Sequence, residues 1–120
     1  EVDVTGQVNA EVAREAYVGG IGGLVDFLRG AHRSRGGLPI VALPSRFGEA
    51  SRIVAGLSGP ATVSRADAGI VVTEHGVADL RGASLAERVP RMIAIAHPDD
   101  REDLARRARE QLRIPVRNLP

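Results

Sequence analysis

Cysteine, lysine and tryptophan are all missing from this 120-residue chain. Without Cys there is no disulfide, no thiolate nucleophile and no Cys-based metal site. All 16 basic side chains are therefore Arg, and against 15 acids they leave a net charge of +1, which carries no nucleic-acid footprint. Aromatic residues make up only 2% of the sequence, so the core must be built from Val, Ile, Leu and Ala, a composition suited to buried strands covered by helices. No apolar run is long enough to span a bilayer. The opening Glu1-Val2-Asp3-Val4 is not a charged-then-apolar leader, which makes a cytoplasmic protein the expectation. That opening has no Met and no lead-in, and it reads as a piece cut from something longer.

Several catalytic signatures are absent too. His32, His75 and His97 are the only imidazoles, no two lie at helical ligand spacing, and no H-E-x-x-H occurs, so no metal is expected. No G-x-S-x-G elbow exists. A dinucleotide fingerprint fails because Leu24 and Val25 fall where its last glycine should be.

What the chain does have is Gly19-Gly20-Ile21-Gly22-Gly23, directly followed by Leu24, Phe27, Leu28 and Ala31 at the spacing of one helical face. A glycine loop that opens a helix aims unpaired N–H groups, at the positive end of the helix dipole, at whatever lies in front. It can receive a phosphate or an oxyanion. The other reading is a tight turn in which two pieces of backbone pack closely.

The remaining elements predict one compact α/β unit over residues 1–114, with 115–120 as a tail. Val2–Asn9 suggests two strand pieces turning at Gly6, and residues 10–18 are ambiguous between strand and helix. The glycine-loop helix should stop at Gly36-Gly37. Strands are expected at Pro39–Pro44 (buried), at Ser51–Leu57 paired with Ala61–Ser64, and most clearly at Ala68–Thr73. Val77–Leu80 reads as a short helical piece. Ser84-Leu85-Ala86-Glu87 is a capping box. The helix it opens places Leu85, Val89, Met92, Ile93 and Ala96 on one face, with Pro90 forcing a kink or a late start. A last helix carries Leu104, Ala105, Ala108 and Leu112 and ends at Pro115.

Among carboxylates, Glu74 closes the strongest strand, the usual address of ligand-facing residues in open α/β sheets. It can act as a base or cap the turn that follows. Asp26 stabilises the dipole of the glycine-loop helix.

Taken in order, Val2-Asp3-Val4-Thr5-Gly6-Gln7-Val8-Asn9-Ala10-Glu11, Gly19–Gly23 with Val25-Asp26-Phe27 and Arg29-Gly30-Ala31, Ser51-Arg52-Ile53-Val54, Val71–Gly82 and Ile95-Ala96-His97-Pro98 resemble one family. It is the C-terminal domain of the acetyl-CoA hydrolase/transferases, which include 4-hydroxybutyrate, butyryl and succinyl:acetate CoA-transferases. The resemblance runs from about residue 2 to about residue 108.

It implies an open, largely parallel sheet flanked by helices, in the NagB/RpiA-like CoA-transferase fold. The activity implied is exchange of CoA between an acyl-CoA and a small carboxylate, or acyl-CoA hydrolysis, through a glutamyl anhydride and a glutamyl-CoA thioester. The nucleophilic Glu and the N-terminal domain would lie upstream of Glu1. Coenzyme A, as acyl-CoA, is the implied cofactor. Gly19 and Gly20 would contact the thioester oxyanion, Gly20, Gly22 and Gly23 would bind CoA, and Glu74 would face the ligand. Leu24 departs from the Gln or Ser of many members, and His75 from the usual Tyr or Gln. Two alternatives stand beside this reading: a non-catalytic CoA- or nucleotide-binding α/β module, and a scaffold whose glycines serve packing. A severed half-enzyme would also expose an apolar face and self-associate.

Overall fold

The apolar opening of the chain lies at the centre of the core. The computed structural model describes residues 1–113. In it β1 (Val2–Asp3) runs parallel to β7 (Ile53–Val54), with Val2 opposite Ile53. Val2, Val4, Ile53 and Val63 are completely buried. The expected turn at Gly6 is built by Asp3, whose Oδ1 accepts from the Thr5 N–H (2.9 Å), the Thr5 hydroxyl (2.7 Å) and the Gln7 N–H (3.0 Å). Its Oδ2 accepts from Gln7 Nε2 at 2.7 Å. Gly6 sits at φ +99°, and a Cβ there would meet Ala68 Cβ and Leu80 Cδ1, each at 2.9 Å. Both the turn and the close approach require glycine.

β2 (Val12–Ala13) and β3 (Ala16–Tyr17) form an antiparallel hairpin, as do β5 (Arg46–Phe47) and β6 (Ala50–Ser51). The largest sheet has three strands, with β8 (Ile70–Thr73) between a parallel β4 (Ile40–Ala42) and an antiparallel β9 (Gly76–Asp79). In place of one open, largely parallel sheet, then, the described residues form four short sheets of mixed direction.

Four local expectations change. Val77–Asp79 is strand, not helix: Glu74-His75 makes a two-residue loop and the chain returns antiparallel along β8. The alternation there, with Val77 and Asp79 exposed and Ala78 and Leu80 buried, is the period of two that marks a strand. The Ser51–Leu57 run breaks into β6 and β7, and Val63 pairs with Val8 rather than with that run. β4 is not buried, because it lies at a sheet edge and leaves Ile40 exposed. Residues 12–17, ambiguous in sequence, are the β2–β3 hairpin.

The glycine-loop helix is α1 (Leu24–Arg33). Only its Leu28 is buried; Phe27, expected on the core face, is 81% exposed. α2 (Leu85–Ala94) opens on the capping box, with Glu87 Oε2 accepting from the Ser84 N–H at 2.7 Å. Val89, Met92, Ile93 and the following Ala96 are buried as expected. Pro90 lies inside α2 and does not delay its start at Leu85; its missing N–H removes the bond to the Ala86 carbonyl. A 3₁₀ turn (Pro98–Asp100) leads into α3 (Arg101–Leu112), which buries Leu104, Ala105 and Ala108. Pro115 and the tail 115–120 lie outside the described residues. Among the described residues, no helix is long and apolar enough to cross a membrane.

Candidate functional site

The β2–β3 hairpin delivers the chain to the glycine loop. Its turn places Arg14 (φ 52°) and Glu15 (φ 63°) in the left-handed region. Beyond the hairpin, the Val18 N–H donates to the Glu11 carbonyl at 2.8 Å, and the Gly19 N–H reaches the same oxygen at a long 3.4 Å. There the pairing stops. The N–H groups of Gly20, Ile21, Gly22 and Gly23 donate to no protein group among the described residues.

Gly23 is the N-cap of α1 and has no side chain to satisfy the first turn; its carbonyl accepts from the Phe27 N–H at 2.9 Å. Asp26 lies in that first turn, where its charge suits the dipole. Residues 18–23 are all exposed. A Cβ built on Gly20 or Gly22 would meet nothing within 4 Å, so the turn-packing reading finds no close approach to explain at either position. Gly22 does need glycine for its φ of +59°.

Glu74 occupies the β8–β9 loop. Its Oε1 accepts from the Ser45 N–H at 2.8 Å and lies 3.8 Å from His75 Nε2. Ser45 is held in turn by its neighbour: Arg46 makes a two-pronged pair with Asp100, Nε to Oδ2 at 2.8 Å and Nη2 to Oδ1 at 2.6 Å. The rings of His75 and His97 meet edge to face with centroids 5.5 Å apart. No hydrogen bond or ion pair joins Glu74 to the glycine loop among the described residues, so the two candidate regions are separate clusters.

Hydrogen bonding from Ser45, through hydroxyl and backbone N–H, holds the Glu74 carboxyl below its ordinary value of 4.5. A lowered carboxyl contributes stability that is fully present above 4.5 and is lost as pH falls through the folded value. Glu74 is thus an anion at neutral pH, able to accept a proton or a hydrogen bond but not to act as an acid. Glu74→Gln is expected to lower the melting temperature more at pH 7 than at pH 4. Thermal melts at both values check this, and an equal shift at both would contradict it.

A concavity that the sequence reading passed over lies between the two hairpins. It measures about 500 Å³ and is lined by residues including Arg14, Val18, Phe47 and Arg52. The stretch 45–50 reads as a plain polar turn in sequence; its one signal is a lone aromatic, Phe47, between Arg46 and Arg52. Among the described residues, no group of three or more metal-ligating side chains occurs.

Comparison with known proteins follows the same lines. Residues 1–108 match the family model described as the acetyl-CoA hydrolase/transferase C-terminal domain. The 4-hydroxybutyrate coenzyme A transferase of Clostridium kluyveri is 46% identical over 108 residues, which cover 87% of this chain and 25% of that protein. The acetyl-CoA hydrolase of Schizosaccharomyces pombe is 34% identical over 101 residues, 82% of this chain and 19% of its own. The crystal structure of RipA from Yersinia pestis superposes with a TM-score of 0.87 at 40% identity, over 95% of this chain and 26% of that one. The chain therefore spans about a quarter of the length of the first curated relatives it matches. With a family model matching nearly its whole length, and with the glycine loop, β8 and the His97-Pro98 turn in the expected order, this chain belongs to the acetyl-CoA hydrolase/transferase family, to its C-terminal domain.

Proposed function

We propose that this chain is the CoA-binding portion of an acyl-CoA:carboxylate CoA-transferase or an acyl-CoA hydrolase, one domain of a NagB/RpiA-like pair in a longer protein. The nucleophile is a Glu carboxylate upstream of Glu1. It attacks the thioester carbonyl, and the tetrahedral oxyanion collapses to a glutamyl anhydride with departure of the CoA thiolate. The thiolate then attacks the glutamyl carbonyl, releases the first carboxylate and leaves a glutamyl-CoA thioester. An acceptor carboxylate reverses the sequence; water in its place gives hydrolysis.

The part of this chain is to receive the oxyanion and the CoA chain on backbone donors. One observation carries the reading: the N–H groups of Gly20 to Gly23 are exposed and unpaired at the mouth of α1. Each donor of this kind contributes roughly 2.7–4 kcal/mol to the transition state. Gly20 is better suited to that contact than Gly19, whose N–H already leans on the Glu11 carbonyl. Glu74, an exposed anion in the β8–β9 loop, is the second group of this chain assigned to the ligand-facing side.

Assays of the complete protein and of residues 1–120 alone, with acetyl-CoA and a panel of short carboxylates, test the proposal. Transfer or hydrolysis is expected from the former and none from the latter. Robust turnover by the short chain would remove the upstream nucleophile. CoA binding without turnover by the complete protein would favour the non-catalytic module.

A further inference from the structure

The cleft between the β2–β3 and β5–β6 hairpins has the chemistry of an anion site. Phe47, exposed on β5, is flanked by two guanidinium groups, with Arg52 Cζ 5.1 Å and Arg14 Cζ 5.8 Å from its ring centroid. Neither cation forms an ion pair among the described residues, whereas Arg29, Arg46, Arg81 and Arg106 each have an acidic partner. A single cation satisfies the face of a ring, and a second adds like-charge repulsion, against which the lining sets one carboxylate.

The one carboxylate in the lining is Glu1, and it is already engaged: its Oε1 accepts from the Ser58 N–H and hydroxyl, each at 2.7 Å, and from Asn9 Nδ2 at 3.1 Å. Arg52 Nε is buried without a hydrogen-bond partner, the only such side-chain atom among the described residues. Leaving a buried charged donor unpaired is costly. Arg14 adds a further sign, since Arg14 and Glu15 take the left-handed positions of a tight hairpin that Asn-Gly would fill without strain.

We propose that this cleft binds an anionic group of the substrate, a carboxylate or a phosphate, between Arg14 and Arg52 and beside Phe47. Val18 lines the cleft and directly precedes Gly19, so one extended substrate can place its charged end here and its thioester at the glycine loop. The planar forks of two arginines suit either oxyanion. In substrate terms the cleft rests on the CoA-transfer reading above, but its ability to hold an anion does not.

The test uses the complete protein with Arg14→Asn, Arg52→Gln and Arg52→Lys. Asn tolerates the left-handed turn, so Arg14→Asn removes the charge and keeps the hairpin. Ping-pong kinetics yield separate KM values for acyl-CoA and for the acceptor acid, and calorimetric titration with pyrophosphate and with acetate reads binding without turnover. Arg14→Asn and Arg52→Gln are each expected to raise one KM about ten-fold or more, with parallel loss of one anion, and Arg52→Lys to fall between. A rise confined to acyl-CoA, with pyrophosphate binding lost, assigns a phosphate. A rise confined to the acid, with acetate binding lost, assigns a carboxylate.

Should Arg52→Gln fail to fold, Arg14→Asn decides alone. Both KM values within two-fold of the unaltered protein in folded variants, or no anion bound by the unaltered protein, overturns the proposal. Anion binding that the variants lose, in a protein without CoA transfer, keeps the cleft and removes the enzymatic reading. Transfer that is indifferent to both arginines does the reverse.

Discussion

Gly22→Val in the complete protein is expected to lower CoA-transfer turnover by about a hundred-fold or more, the loss that follows removal of one oxyanion donor. Gly22 takes φ +59°, a region that a β-branched residue adopts only under strain. Val would cost roughly 1–3 kcal/mol there, and the loop would relieve that strain by rotating its peptides. Nothing lies within 4 Å of a Cβ at this position and the loop is exposed, so the relief stays local. The melting temperature should change little while the N–H groups turn away from the substrate. Gly20→Ala gives the complementary result: its methyl enters empty space without a positive φ, so the fold is untouched and the KM for acyl-CoA rises. Steady-state kinetics with a thermal melt of each variant reads both. Unaltered turnover in folded Gly22→Val would mean that the loop takes no part in the reaction.

The largest effect on stability is expected at Asp3. Its carboxylate is 2% exposed and accepts four hydrogen bonds, from Thr5 and Gln7. Asp3→Ala strands the N–H and hydroxyl of Thr5, itself 1% exposed, together with the Gln7 N–H. Each unpaired buried donor costs about 1–3 kcal/mol, which gives a loss of about 3 kcal/mol or more. That is a large share of the ~5–15 kcal/mol holding an ordinary domain together. Asp3→Asn keeps the acceptor Oδ1 but turns an NH₂ toward Gln7 Nε2, and should lose about 1 kcal/mol. Urea midpoints of the two variants check the order. Equal stability of Asp3→Ala and the unaltered protein would show that the turn is not organised by this carboxylate.

The helices and the β8 strand were legible in sequence because their signals are local. A capping box, an apolar stripe and an unbroken Ile70-Val71-Val72 run each state their own structure. What escaped depends on partners far along the chain. Val63 lies as close in sequence to Ser51–Leu57 as a hairpin requires, yet it pairs with Val8, which sequence spacing cannot indicate. β9 is not legible because Val77-Ala78-Asp79-Leu80 is too short to separate a period of two from a helical turn. Phe27 matched the helical stripe but faces out, because α1 buries only Leu28. The glycine loop was visible as a feature, whereas its openness was not, since a run of glycines also suits close packing. The Arg14–Phe47–Arg52 cleft joins residues from two hairpins and has no contiguous motif at all.

Amide hydrogen exchange on the complete protein, with and without acetyl-CoA, bears most directly on whether the open backbone at the start of α1 receives the ligand. Slowed exchange is expected in the peptide spanning Val18 to Asp26, because the free N–H groups of Gly20 to Gly23 acquire an acceptor there. In the Gly22→Val protein that slowing should disappear. Acetyl-CoA that binds and protects other segments while these amides exchange at an unchanged rate would contradict the account.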